Sequence, residues 1–405
     1  MLHSFQKTEK KSAVIALSGG VDSAVAAYLL KEQSYQLTAI FMQNWDDYLN
    51  ASPNQETICS QGKDWQDAQQ VAQQLNIPVY KVNFLQEYWN KVFLNFLQDL
   101  KQGLTPNPDI LCNSSIKFLA LVDYIQKHFN PDFLATGHYA EITTDENQEK
   151  YYLGKAKDYN KDQTYFLCQI PQSIFPKLIF PLADLTKPEV RQIAEKMKLV
   201  NAKKKDSTGI CFIGERNFDK FLANYLSPKE GNIIDIDSGK IKGKHHGNYY
   251  FTIGQRHGIG LQGEKEPYYV VGKDIKENLI YIAKNWKNPW LYSSYCWVKN
   301  INWLVEEKEL INFLHRQKIT AKFRYRQPEV SVKLFRAENK NEVKIKFKEK
   351  QRAVTPGQYA VFYCQNICLG GGIIWTTEKL DNHSRPVKIQ FLKKQQVNIK
   401  NKYYD

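Results

Sequence analysis

Two short stretches hold most of the reactive chemistry in this sequence. Residues 104–113 read LTPNPDILCN, and residues 206–215 read DSTGICFIGE. In the first, Asn107 is a good N-cap and Pro108 suits the first helical position. Asp109 then falls in the first turn, where a carboxylate meets the positive end of the helix dipole. Cys112 follows three residues later and shares a helix face with Asp109. A thiol near a helix N-terminus has a lowered pKa, and the thiolate is the reactive species. Asp109 could act there as a base or only as a cap. Cys112 could be a nucleophile or a small packed hydrophobe, and the stretch alone leaves both readings open. In the second stretch Cys211 follows a glycine and a polar turn, with Lys203, Lys204 and Lys205 just before it. Basic neighbours lower a thiol pKa, but a packed strand cysteine remains the competing reading.

A third stretch handles anions. Residues 18–23 read SGGVDS, between a short apolar run and a helical pattern. Gly19 and Gly20 let the backbone approach an anion, and a helix N-terminus supplies N–H groups and dipole. Ser18 and Ser23 can add hydroxyl contacts. Asp22 could hold a magnesium ion or cap the helix. There is no G-K-[ST], so this is not the lysine-bearing phosphate loop of that type.

The elements that must position these residues alternate in the first half of the chain. Strands are expected at 13–17, 37–42, 79–83 and 133–136. Helices are expected at 21–30, 64–75, 88–100 and 116–129, with a further amphipathic helix over 187–200. This alternation predicts an α/β fold with a parallel sheet covered on both faces. After about residue 215 short strand-like runs with Gly and Asn turns take over, and from about 290 the pattern is all β, as in a small barrel or sandwich. The expected domains are 1–215, a small central α+β domain over 216–288, a C-terminal β-barrel over 289–377, and a basic tail over 378–405.

Composition agrees with such cores: of 405 residues, 42% are hydrophobic and 13% aromatic, too rich for disorder. Lys plus Arg outnumber Asp plus Glu by 56 to 42, a formal charge of +14 that suits a polyanionic partner. The 7 cysteines are odd in number and never spaced C-x-x-C, which argues against a disulfide framework, a zinc ribbon or a cysteine-held cluster. No apolar run is long enough to span a membrane, and no signal peptide is evident. The expectation is a soluble cytoplasmic protein with no membrane partner.

SGGVDS resembles the signature of the PP-loop ATP pyrophosphatases, which implies a Rossmann-like sheet and adenylation of a substrate oxygen with loss of pyrophosphate. Together with TPNPDILCN, ATGHYA, KDQTYFL, DSTGICFIGERNF, FTIGQRHG, FRYRQ and TPGQYAVFY…CLGGGII, it resembles the tRNA-specific 2-thiouridylases of the MnmA family over roughly residues 12–376. The resemblance implies ATP and Mg2+ as cofactors. Ala16, Leu17, Ser18, Gly19, Gly20, Val21, Asp22 and Ser23 would hold the ATP phosphates, with Met42 and Gly137 lining the adenosine site. Asn107, Pro108 and Asp109 would meet the target base, and Asp109 would act as base or orient the substrate. Cys211 would carry a persulfide and Cys112 would resolve it. His138, Lys161, Asp162, Gln163, Arg324, Tyr325 and Gln358 would contact tRNA. The implied partners are tRNAs with Lys, Glu or Gln type anticodons and an upstream persulfide donor, either a cysteine desulfurase or a relay protein.

Three competing readings remain. A PP-loop synthetase adenylating a small metabolite has no need of two reactive cysteines or a basic β domain. A 4-thiouridine or 2-thiocytidine enzyme should carry an RNA-binding domain before the loop, or C-x-x-C for a cluster. A non-catalytic RNA-binding protein has no need of an intact SGGVDS.

Overall fold

β1 (Ser12–Ala16) is a short apolar strand buried along nearly its whole length. It runs into the loop 17–20 and then α1 (Val21–Glu32), an alanine-rich helix buried on most of its surface. The chain continues through β2 (Gln36–Gln43), α2 (Ser60–Gln74) and β3 (Val79–Asn83). The computed structural model describes residues 10–46, 60–206, 218–261, 266–336 and 342–380.

Two long helical runs follow. The first joins α3 (Leu85–Tyr88) to α4 (Leu94–Lys101) through a π-helical stretch at Trp89–Phe93. The second joins α5 (Pro108–Cys112) to α6 (Leu121–His128) through another at Asn113–Ala120. The separate helix expected from residue 116 is therefore the end of one run that begins at Pro108. A π turn inserts an extra residue without stopping the helix, so it turns the side-chain face without breaking the chain's direction.

β4 (Phe133–Thr136), the hairpin β5 (Glu141–Thr144) and β6 (Tyr151–Gly154), the single turn α7 (Thr164–Leu167), β7 (Leu178–Ile179) and α8 (Lys187–Lys196) complete this half.

The chain divides into two compact units, 1–89 with 112–215 and 90–111 with 216–405. In the first unit the sheet order is β3-β2-β1-β4-β7, and its strands pair in parallel. The order reverses between β1 and β4, and the crevice beyond the strand C-termini at such a switch point is where ligands bind in open α/β sheets. Ile15, Ala24, Val25, Ala39, Val71 and Val190 form part of one buried core that packs helices onto the sheet.

In the second unit, β8 (Gly231–Asp235), β9 (Ile241–His245), β10 (Tyr268–Asp274) and β11 (Leu279–Lys284) form a sheet of order β10-β11-β8-β9. Ile233, Phe251, Val270, Ile280 and Ile282 are its core. β12 (Tyr292–Trp303), β13 (Ile319–Lys322), β14 (Val330–Arg336), β15 (Glu342–Arg352), β16 (Tyr359–Cys364) and β17 (Ile367–Thr377) build the all-β end. They pair antiparallel in the order β12-β15-β14-β13-β16-β17, and β17 pairs back onto β12, which closes the barrel. Among the described residues no helix is long and apolar enough to cross a membrane.

Candidate active site

Ala16 ends β1, and the N–H of Leu17 still donates to Ile40 O at 2.8 Å, so the loop leaves the sheet from a fixed point. The two serines then shape it. Ser23 Oγ accepts from Ser18 N at 3.1 Å and donates to Gly20 O at 3.0 Å, while Ser18 Oγ accepts from Gly20 N at 3.3 Å. Gly19 has φ +76, and a Cβ there would lie 2.2 Å from the carbonyl oxygen of Asp64. No other residue fits that position. Gly20 is the N-cap of α1 and, having no side chain, gives the helix no side-chain cap. The first turn of α1 therefore starts without a side-chain cap at the positive end of the dipole, an arrangement that suits a phosphate.

The loop is pinned from α2 and from the segment after α8. Gly19 O accepts from Asn201 Nδ2 at 3.0 Å and from Lys204 Nζ at 3.2 Å. Lys204 also pairs with Asp64 at 2.6 Å and Asp67 at 2.5 Å. Burial works against its charge, but those two carboxylates prevail and hold its pKa above the ordinary lysine value.

A second charged cluster surrounds Asp22. Its Oδ1 accepts from Tyr139 OH at 3.0 Å and from Lys187 Nζ at 2.6 Å. Lys187 also reaches Asp206 Oδ1 at 2.8 Å, and Asp206 takes further contacts from Arg191 at 2.6 Å and Lys161 at 2.7 Å. Burial would raise the Asp206 pKa, yet the hydrogen bonds from Lys161 and Lys187 carry it well below the usual carboxylate range. Burial first, and then the Asp22 carboxylate, push the Tyr139 phenol far above its ordinary value, so it stays a donor. Lys187 is the notable member: the loop contains no lysine, and this one sits beside its first helical turn with a side chain only 13% exposed. Sequence reasoning saw only an amphipathic helix here. The readable signal was Thr186-x-x-Glu189, a capping box in which Glu189 Oε2 accepts from Thr186 N at 2.6 Å and so starts α8 at Lys187.

Gly137 follows β4, directly across the switch point. A Cβ at Gly137 would lie 2.7 Å from Ser23 N, so its role in the structure is to let β4 approach the start of α1. Met42 is half-buried near the C-terminal end of β2, opposite Val82 of β3. Among the described residues no group of three or more His, Cys, Asp or Glu could hold a metal ion. Asp22, named for magnesium or as a helix cap, accepts from Tyr139 and Lys187.

The residues given to tRNA divide sharply. His138 is buried: its Nδ1 meets Thr136 Oγ1 at 2.8 Å, and its ring lies against Phe118 and Phe180. Burial, then Lys117, hold it well below the ordinary imidazole pKa, so it is neutral. Asp162 is buried as well and accepts from Thr164 Oγ1 at 2.8 Å, while Gln163 Oε1 accepts from Tyr139 N at 2.9 Å. Both organise the turn behind Tyr139. Lys161 is part of the Asp206 cluster. In the second unit Arg324 donates from one guanidinium nitrogen to Ile253 O, Ala353 O and Thr355 Oγ1, at 2.8, 3.1 and 2.7 Å. Tyr325 is half-buried in the turn after β13.

Asn107 caps as its sequence suggests: its Oδ1 accepts from Ile110 N at 3.4 Å, with Pro108 and Asp109 in the first turn of α5. Cys112, at the end of that turn, is 2% exposed. Cys211 lies outside the described residues, so its distance to Cys112 does not enter the geometry.

Family models match along the chain. One described as a tRNA methyl transferase HUP domain covers residues 11–215, one described as a tRNA methyl transferase PRC-barrel domain covers 219–284, and one described as an aminomethyltransferase beta-barrel domain covers 293–374. The chain is 49% identical over 370 residues to the tRNA-specific 2-thiouridylase MnmA of Mesoplasma florum, a match covering 90% of this chain and 99% of that one. It is 47% identical to the MnmA of Mycoplasma capricolum, over 90% of this chain and 98% of that one, and 47% identical to that of Oceanobacillus iheyensis, over 91% and 96%.

Proposed function

The chain belongs to the MnmA family of tRNA-specific 2-thiouridylases, and from that premise we propose that it replaces the C2 oxygen of a wobble uridine in tRNA with sulfur, at the expense of ATP. The observation that carries the reading is near-half identity over nine-tenths of the chain with proteins named for this activity. The uncapped N-terminus of α1 fits its first step. Methyl transfer, the wording attached to two of the matching models, has no use for such a phosphate cradle beside a lysine.

ATP would supply an electrophilic phosphorus, with Mg2+ carried on the nucleotide. The loop N–H groups hold the phosphates, and Lys187 exchanges a carboxylate partner for a phosphate oxygen. The C2 oxygen of the uridine, held by Asn107 and Asp109, attacks the α-phosphorus and pyrophosphate leaves. Sulfur comes from a Cys211 persulfide loaded by an upstream donor. The Cys112 thiolate attacks the Cys211 sulfur, a disulfide forms, and the terminal sulfur departs as hydrosulfide. Hydrosulfide adds to C2, AMP leaves with the former C2 oxygen, and an external reductant reopens the disulfide. Asp109 serves as base or orients the uracil. The substrates fitting this chemistry are tRNAs with Lys, Glu or Gln type anticodons, whose wobble base must be flipped out of its stack.

Incubation with ATP, Mg2+, tRNA and a persulfide donor should yield AMP, pyrophosphate and 2-thiouridine; formation of ADP would overturn the assignment. Cys211→Ser should abolish sulfur loading at that position and all product. Cys112→Ser should still load sulfur on Cys211 yet make no product, and mass spectrometry of a single turnover distinguishes the two. Full thiolation by Cys112→Ser would return that thiol to a packing role.

A further inference from the structure

The segment before the base-contact residues is fastened to the barrel within the second unit. Thr105 N donates to Pro356 O at 2.9 Å. Gln358 Nε2 donates to Thr105 O at 2.8 Å and to Pro106 O at 3.4 Å. These partners are some 250 residues apart in sequence. Between them lies Gly357, with φ +92. A Cβ there would come within 2.6 Å of Thr105 N and 2.9 Å of Leu104 Cβ, so only glycine lets the two backbones meet. The barrel side is itself registered: Gly357 N donates to Ile374 O, and Ile374 N to Gln358 O, each at 2.8 Å.

The loop has few other holds. Pro106 and Pro108 have no N–H, and the fixed φ of each stiffens the segment without bonding it. Leu104 N reaches back to Asp99 O at 3.0 Å, and the next side-chain tie is the Asn107 cap. Between those two points the described anchors are Pro356 and Gln358. The Gln358 amide nitrogen faces this loop, closest to Thr105 O.

We propose that Gln358 and Gly357 form a latch that positions Asn107 and Asp109, so that Gln358 acts on the reaction through the loop and not as a contact to RNA. This rests on the proposed base-reading role of residues 107–109. Misplacing reacting groups by about 1 Å can cost on the order of 100-fold in rate. Gln358→Leu keeps the bulk and removes both donors; Gln358→Glu also sets a carboxylate against two carbonyl oxygens.

Steady-state and single-turnover thiolation, tRNA binding and hydrogen exchange on the full chain test this. Both variants should lose roughly 10- to 100-fold in kcat, with tRNA Kd and KM within about threefold of wild type. Exchange at Thr105, Asn107, Asp109 and Ile110 should rise about tenfold or more, while exchange in β16 stays unchanged. A weakened tRNA Kd with kcat intact would overturn the proposal and make Gln358 an RNA contact. Unchanged exchange at residues 105–110 would overturn it whatever the activity. If the wild-type chain makes no 2-thiouridine, the proposed function fails, and the exchange measurement still decides whether the latch exists. Should one variant fail to fold, the other gives the same readouts.

Discussion

In the unit that carries the SGGVDS loop, the cations around the loop pair with carboxylates: Lys187 on Asp22 and Asp206, Arg191 and Lys161 on Asp206, Lys204 on Asp64 and Asp67, with Lys204 and Arg191 also donating to backbone carbonyls. In the other unit, two inward-facing cations end on backbone. Arg324 reaches Ile253 O and Ala353 O, and Lys273, fully buried in β10, reaches Phe251 O at 2.8 Å. The two kinds of partner have different consequences. A carboxylate can be exchanged for a phosphate oxygen, since both are anions that accept charge-assisted hydrogen bonds. A buried carbonyl cannot be abandoned without a desolvation cost. Lys187, which bonds two carboxylates, is therefore available to chemistry, whereas Arg324 and Lys273 hold loops in place.

The largest effect that could break this contrast lies at Lys187. Lys187→Ala should lower AMP and pyrophosphate formation by about 100-fold, the scale of losing one preorganised charged donor. The melting temperature should change little, because Asp206 keeps Arg191 and Lys161. A variant that retains the rate but loses stability would make this lysine structural, and the contrast would vanish.

Arg324 tests the other side. Arg324→Met keeps much of the stem but strips three acceptors, and should cost about 2–4 kcal/mol of unfolding free energy in the second unit. If Arg324 were instead a phosphate contact, the melt would hold, tRNA binding would weaken, and the salt dependence of binding would fall by about one unit of slope. Urea melts and binding at two salt concentrations separate these outcomes.

These contrasts also mark what the sequence could say. The strand–loop–helix around SGGVDS was legible because glycine chemistry, a short apolar run and a helical period are all local signals. The parallel sheet followed from alternation, and the barrel from short strands with turn residues. The π stretches at Trp89–Phe93 and Asn113–Ala120 were not legible, because one extra residue leaves the apolar period nearly intact. Lys187 was missed because its partner Asp22 is 165 residues away, and only packing of α8 on α1 brings them together. The resemblance implies tRNA contacts at His138, Arg324 and Gln358, and residue type reveals what a polar group can bond, not which partner folding will offer. All three are satisfied internally, by Thr136, by carbonyls and by the residue 105–106 backbone.

The smallest effect, and the one that most sharpens the contrast, concerns pH. Burial pulls the Lys273 ammonium from 10.5 down to about 7, and its hydrogen-bond partner is a carbonyl, which carries no compensating charge. Between those two values the unfolded chain binds a proton that the folded chain has released. Stability then rises with pH through that window, because the unfolded state binds more protons. Below about pH 7 both states are protonated, and the folded state bears the cost of a buried charge. Lys273→Met removes that cost, so the variant should be more stable than wild type at pH 7, by about 1 kcal/mol after the lost hydrogen bond is counted. The gap should close and then reverse in favour of wild type as pH rises toward 10, because wild type gains about 1.4 kcal/mol per pH unit through that window and its neutral amine keeps its bond to Phe251. Urea melts of both proteins at pH 7, 8.5 and 10 measure it. A gap that stays constant with pH would mean that Lys273 folds with a counter-charge, and that the two units do not differ in how they hold their cations.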